Sequence, residues 1–242
     1  SITDSEISNN SGHAFYSSSG TLISILTDTD IEGNSGRGLW ANGDKDFQNV
    51  SISNNTNDGV SGSGSLDINI SQIDSNGGSG ITGATGSIFA DSTSISSNIG
   101  QAIISTSTLT FTNVDVNSNG AGISGSGNSD FTNVNINDNG GYGLTSNGDK
   151  EFQNVSISNN SSNGISGSGS VNMNLVNIDN NGGSGITGAT DSILADSTSI
   201  SNNIGNGVSH SGIVELTNVF TNSNGGTGFT GFSDSFTALN SS

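Results

Sequence analysis

One column of asparagines constrains this chain more than any other feature. Asn10, Asn34, Asn55, Asn76, Asn98, Asn119, Asn139, Asn160, Asn181, Asn203 and Asn224 recur at steps of 20 to 24 residues, about 21 on average. Three residues before them stand Ile7, Ile31, Ile52, Ile73, Ile95, Val116, Ile136, Ile157, Ile178 and Ile200, with Thr221 the polar exception. Five residues after them come Phe15, Leu39, Val60, Ile81, Ile103, Leu144, Ile165, Ile186, Val208 and Phe229, and a sixth, shorter turn offers Ile123. A unit this short cannot enclose a core alone, so each turn must stack on the next. Within a turn the pattern is that of strands, as in Phe131, Val134 and Ile136, bounded by Gly and Ser, and no segment carries a helical period. Eleven such turns at about 4.8 Å each would form a rod roughly 50 Å long.

Composition matters here because, taken alone, it argues the other way. Only 29% of residues are hydrophobic and 37 are Gly, a balance typical of disorder. The fixed spacing of the apolar residues favours a thin, repetitive core instead. Asn suits a sharp corner because it tolerates the left-handed backbone region, and stacked copies can bond amide to amide. Gly38, Gly59, Gly80, Gly143, Gly164, Gly185, Gly207 and Gly228, just before the apolar residue of the following strand, are expected where backbones pack closely.

With this ladder and period the chain resembles the pectin-lyase-like superfamily, whose right-handed parallel β-helices have three sheets per turn and an asparagine ladder at the tight second corner. The resemblance implies an all-β, right-handed parallel β-helix of about 11 turns of about 21 residues, forming a single domain over 1–242. A left-handed or two-sheet solenoid is the alternative. The resemblance does not specify function, since the architecture hosts lyases, hydrolases, epimerases, phage tailspikes and surface adhesins. A longer period overlies the first: NGDKDFQNVSISNN at 42–55 returns as NGDKEFQNVSISNN at 147–160, so about 42–107 matches 147–212. Duplication of a five-turn cassette suits a spacer better than a unique active site.

With 21 acidic residues against Arg37, Lys45 and Lys150, the formal net charge is -18, which excludes nucleic acid and anionic membranes as partners. No apolar run is long enough for membrane insertion, and the absence of Cys leaves the redox compartment open. On the first sheet the inward positions align as Leu26, Phe47, Ile68, Ala90, Phe111, Phe131, Phe152, Met173, Ala195 and Leu216. The outward neighbours then stack Asp46 on Asp67 and Asp130 on Glu151, with Asp44 and Asp149 close by. Asp44, Asp46, Asp67, Asp130, Asp149 and Glu151 are therefore candidate calcium ligands, the alternatives being solvated carboxylates and general acid–base catalysis. No cofactor is required, and calcium is the one candidate. Lys45 and Lys150 are expected to neutralise these clusters.

In enzymes of the resembled superfamily, lyases use an Arg or Lys beside calcium-binding Asp residues, and hydrolases carry acidic pairs with an Arg-Ile-Lys segment. Here Arg37 falls on the third sheet, that segment is missing, and His13 and His210 are expected to face solvent. Short loops such as 61–64 and 82–86 leave no groove walls. Trp40, Tyr16 and Tyr142 read as isolated surface aromatics, with Phe15 in the core. The expectation is a non-enzymatic extracellular or cell-surface module, a structural or adhesive spacer or filament subunit. The alternative is a polysaccharide-binding or polysaccharide-processing β-helix. The segments 1–8 and 235–242 share one phase of the turn without a visible cap, so end-to-end self-association is expected. A polysaccharide or cell-surface partner is also compatible.

Overall fold

The computed structural model describes residues 1–18, 24–231 and 234–241. Every regular element among them is a β-strand, and no helix is long and apolar enough to cross a membrane. About eleven turns of parallel strands make the β-helix, divided into two compact units, Ser1–Gly120 and Ala121–Ser242.

In the first unit each turn carries a long strand and a short one. The long strand is continuous in Ser24–Glu32, Lys45–Ser53 and Leu109–Asn117, and interrupted in Leu66–Asn69 with Gln72–Asp74 and in Ile88–Asp91 with Ser94–Ser96. Parallel pairing sets Leu26, Phe47, Ile68, Ala90 and Phe111 in one column and Ile31, Ile52, Ile73, Ile95 and Val116 in another. The short strands form the second sheet, which aligns Phe15, Leu39, Val60, Ile81 and Ile103. In the second unit the same arrangement stacks Phe131, Phe152, Met173, Ala195 and Leu216, with the Phe131 and Phe152 rings 5.3 Å apart. The first-sheet inward residues expected from alternation are buried in both units. The expectation of three sheets per turn is refined: the first two strand segments belong to one hydrogen-bonded sheet, folded at a bend.

Each turn has two left-handed bends, and neither is at the ladder asparagine. The first runs through Asp28, Asn49, Ile70, Ser92 and Asn113 in the first unit and Asn133, Asn154, Leu175, Ser197 and Asn218 in the second, with φ between 48° and 56°. The second lies one residue before each ladder position, as at Asn54, Ser75, Asn159 and Asn180. The ladder Asn is therefore needed for its amide and not for its backbone. Six residues separate the first bend from the ladder Asn in every turn, and five usually separate that Asn from the next apolar residue. Variation in turn length falls almost wholly in the segment leading from the second sheet back to the first.

The glycine column is set by contact, since Gly143 does not have positive φ. A Cβ there would stand 2.6 Å from Ile157 Cγ2, 2.7 Å from the Gly164 carbonyl oxygen and 3.0 Å from Asn160 Nδ2. Gly143→Ala should therefore cost about 1–3 kcal/mol by overpacking. At Gly12 the same methyl group would meet nothing within 4 Å. Urea denaturation of the two variants tests this, and equal midpoints would refute the packing account.

Candidate functional site

The first bend shapes the surface. The chain bends through a left-handed residue in successive turns, and a concave strip follows that bend. In the first unit this strip is a groove of about 710 Å³ that follows the bend through five turns, from Asp28 to Asn113. Five stacked turns span about 19 Å at strand spacing. Asp28 and Asp30 lie at one end and Asp115 at the other, with Asn49, Ser51, Gln72, Ser92 and Ser94 between them.

Several side chains hold the bend in shape. Asn49 Nδ2 donates to Asp28 Oδ1 at 2.7 Å, and Asn113 Nδ2 donates to Asp91 Oδ1 at 3.1 Å. Behind the bend, the hydroxyls of Thr29, Ser71 and Thr93 donate to carbonyls two residues upstream at 2.7–2.9 Å. These buried hydroxyls satisfy backbone oxygens freed where the strand turns, which explains polar residues at inward positions. Among the described residues no Lys, Arg or His lines the groove. The expectation that short loops leave no walls is thus corrected, because the concavity comes from the bend in the strand.

The second unit has a groove of about 600 Å³ on the first half of its long strands, lined by Asp130, Glu151, Phe152, Gln153, Asn172, Asn174 and Asp196. Asp130 and Glu151, expected to be neighbours, are in register there. Glu151 Oε2 accepts from Asn172 Nδ2 at 2.8 Å. Asp46 and Asp67 are also in register, but neither lines either of these two grooves, and Asp67 Oδ1 accepts from Asn69 Nδ2 at 2.9 Å. Asp44 and Asp149 accept the backbone N–H of Ser65 and Ser170, each at 2.9 Å. Of the six candidate calcium ligands four are thus brought together as two pairs, while Asp44 and Asp149 are engaged by backbone N–H groups. Among the described residues no group of three or more His, Asp or Glu converges as a metal site.

Lys45 and Lys150 do not neutralise the carboxylates from outside. Their side chains point inward, 3% and 0% exposed. Lys45 Nζ donates to the carbonyls of Gly43 and Ser63 at 3.0 and 2.7 Å, and Lys150 Nζ to those of Gly148 and Ser168 at 2.8 and 2.7 Å. Burial pushes each ammonium down from 10.5 to about 8, while Asp44 beside one and Asp149 beside the other pull the opposite way.

His210 also departs from expectation. It is buried, with Nδ1 2.7 Å from the Ala189 carbonyl oxygen and Nε2 3.2 Å from that of Ile213. Nor are two of the three surface aromatics isolated: Tyr16 and Trp40, paired across the second sheet, have ring centroids 4.4 Å apart, and the His13 ring lies 5.9 Å from that of Tyr16. Arg37, placed before the second-sheet strand, pairs with Asp58 at 3.0 Å, away from both grooves.

No family model matches the chain, and no curated protein matches it. Among solved structures it is similar to the catalytic domain of a GH87 alpha-1,3-glucanase variant in complex with tetrasaccharides, at 16% identity and a TM-score of 0.41. That match covers 87% of this chain and 49% of the other, so the chain spans about half the length of that structure. It is also similar to the Azotobacter vinelandii mannuronan C-5 epimerase AlgE6 A-module, at 12% identity and a TM-score of 0.35, covering 91% of this chain and 77% of that one. The expectation of a non-enzyme is corrected here, because both of these folds carry catalysts. At such identities the likeness is one of fold, and with its parallel turns and asparagine ladder the chain resembles the pectin-lyase-like β-helices.

Proposed function

We propose that the chain is a polysaccharide-engaging β-helix that takes an extended, neutral glycan along the groove of its first unit. The observation supporting this reading is the groove itself, which is open, five turns long, and lined by carboxylates, amides and hydroxyls without a cation. Carboxylate and amide oxygens accept from sugar hydroxyls, and amide N–H groups donate to them. A ligand held along the stacking direction meets similar groups once per turn, as suits a polymer with a short repeat. A polyuronide would meet Asp28, Asp30 and Asp115 on a chain of net charge -18 and be repelled. Such a ligand places the protein outside the cell or at its surface.

Calorimetry with maltohexaose, cellohexaose and laminarihexaose should find one that binds, while hexagalacturonate does not. Asp28→Asn with Asp30→Asn should weaken that binding roughly tenfold, the loss of charge-assisted bonds worth about 1–2 kcal/mol. Binding of hexagalacturonate alone would overturn the reading. Carboxylate pairs are also the chemistry of glycoside cleavage, so the bound glycan should be followed for new reducing ends, with and without calcium.

A further inference from the structure

The first bend contains an anomaly in each unit. Its column is polar in the first unit at Asp28, Asn49, Ser92 and Asn113, but the middle position is Ile70, with φ of 49° and 59% of its surface exposed. In the second unit Asn133, Asn154, Ser197 and Asn218 flank Leu175, with φ of 56° and 53% exposed. A β-branched side chain in the left-handed region crowds its own carbonyl, and Ile is among the residues least suited to it. Asn, the residue used at Asn49 and Asn113, tolerates that conformation. Folding therefore gains little from Ile70: the backbone is strained there and the side chain stays in water. Strain that the core does not require marks positions retained for another purpose.

Ile70 lies midway along the groove, between Asn49 and Ser92 in the bend column and beside Gln72. The other aliphatic residue of the lining, Val50, is buried. A pyranose ring presents hydroxyls at its rim and C–H groups on its face, so a site for it combines polar groups with a small apolar contact. We infer that Ile70 is the specificity-determining contact of this groove, placed against the C–H face of one sugar ring while the neighbouring carboxylates and amides take its hydroxyls. This inference rests on the glycan reading proposed above. Leu175 has the same geometry but lies outside the first unit's groove, which makes it an internal control.

The test compares Ile70→Asn, Ile70→Leu and Leu175→Asn, using thermal melts and calorimetry with maltohexaose, cellohexaose and laminarihexaose. Both Asn variants should melt a few degrees higher, as the strain is relieved. Ile70→Asn should bind the selected hexasaccharide about tenfold more weakly, Ile70→Leu should keep most of the affinity, and Leu175→Asn should leave it unchanged. If the parent protein binds and Ile70→Asn binds equally well, the role of Ile70 is overturned and the glycan reading stands. If the parent protein binds none of the three, the glycan reading falls and the inference with it. Unchanged or lower melting temperatures in both Asn variants would overturn the claim of strain.

Discussion

Raising the pH from 7 to 10.5 should stabilise this protein, the reverse of what a strongly acidic chain suggests. Lys45 and Lys150 are buried, and each has a folded-state pKa of about 8 against 10.5 unfolded. Below pH 8 both states hold the proton and the folded state bears the full cost of a buried ammonium. Between pH 8 and 10.5 the unfolded state binds more protons than the folded one, so stability rises with pH. The gain should be up to about 3 kcal/mol per lysine. Melting temperature measured across this range should climb by about 10 °C or more. Lys45→Met with Lys150→Met should remove most of that slope, because the same column accepts Leu66 and Val171 in adjacent turns. At pH 7 the double variant should be as stable as the parent or more so, since an apolar side chain there carries no desolvation penalty. A parent curve that is flat or falling between pH 8 and 10 would refute the account.

Replacing Asn160 by alanine should be among the most damaging single truncations of a polar side chain in the second unit. Asn160 Nδ2 donates to Asn181 Oδ1 at 3.0 Å and to the Ile136 carbonyl at 2.9 Å. Its Oδ1 accepts from both the backbone N–H and Nδ2 of Asn139, at 3.1 and 2.9 Å. Alanine removes all four bonds in a site 1% exposed, where water cannot readily replace them. With about 1–3 kcal/mol for each buried group left unmatched, and these losses less than additive, a cost of about 3–4 kcal/mol is expected. Asn160→Asp, of the same shape, should not rescue it, because a carboxylate cannot donate to Asn181 or Ile136. Ser156→Ala, on the outward side of the strand Lys150–Ser158 that leads to Asn160, should change stability by less than about 0.5 kcal/mol. Urea midpoints decide the matter: similar losses for Asn160→Ala and Ser156→Ala would mean that the ladder is dispensable.

The ladder and the inward columns were legible in the sequence because they repeat, and a period of about 21 survives any uncertainty about a single residue. Parity also placed Lys45 inside, two residues before Phe47 on the same strand. That signal was present but overridden, since a charge beside Asp44 and Asp46 reads as part of a surface cluster. The groove was less accessible to sequence reasoning. It depends on a bend whose positions hold Asp, Asn, Ser, Ile and Leu, a mixture without a compositional signature, and only the backbone angles unite them. His210 and the Tyr16–Trp40 pair were missed for a similar reason: contacts across turns depend on where side chains lie between strands, which spacing alone does not reveal.

The constant six-residue interval between bend and ladder gives this architecture one adjustable part. Bend, ladder and second-sheet residue are tied to their counterparts one turn away, so an extra residue among them would shift several hydrogen-bonded columns at once. The return segment is tied more loosely, by scattered bonds such as that from the Ser65 N–H to Asp44; the stretches running from Ile81 to Ser92 and from Ile186 to Ser197 each carry one residue more than most, with the columns intact on both sides. Inserted loops should therefore be accepted after Thr85 or Thr190, both exposed, and rejected between Asn49 and Asn55. A β-helix built this way can deepen the walls beside its grooves by lengthening that single segment, altering what it holds while the ladder continues unchanged.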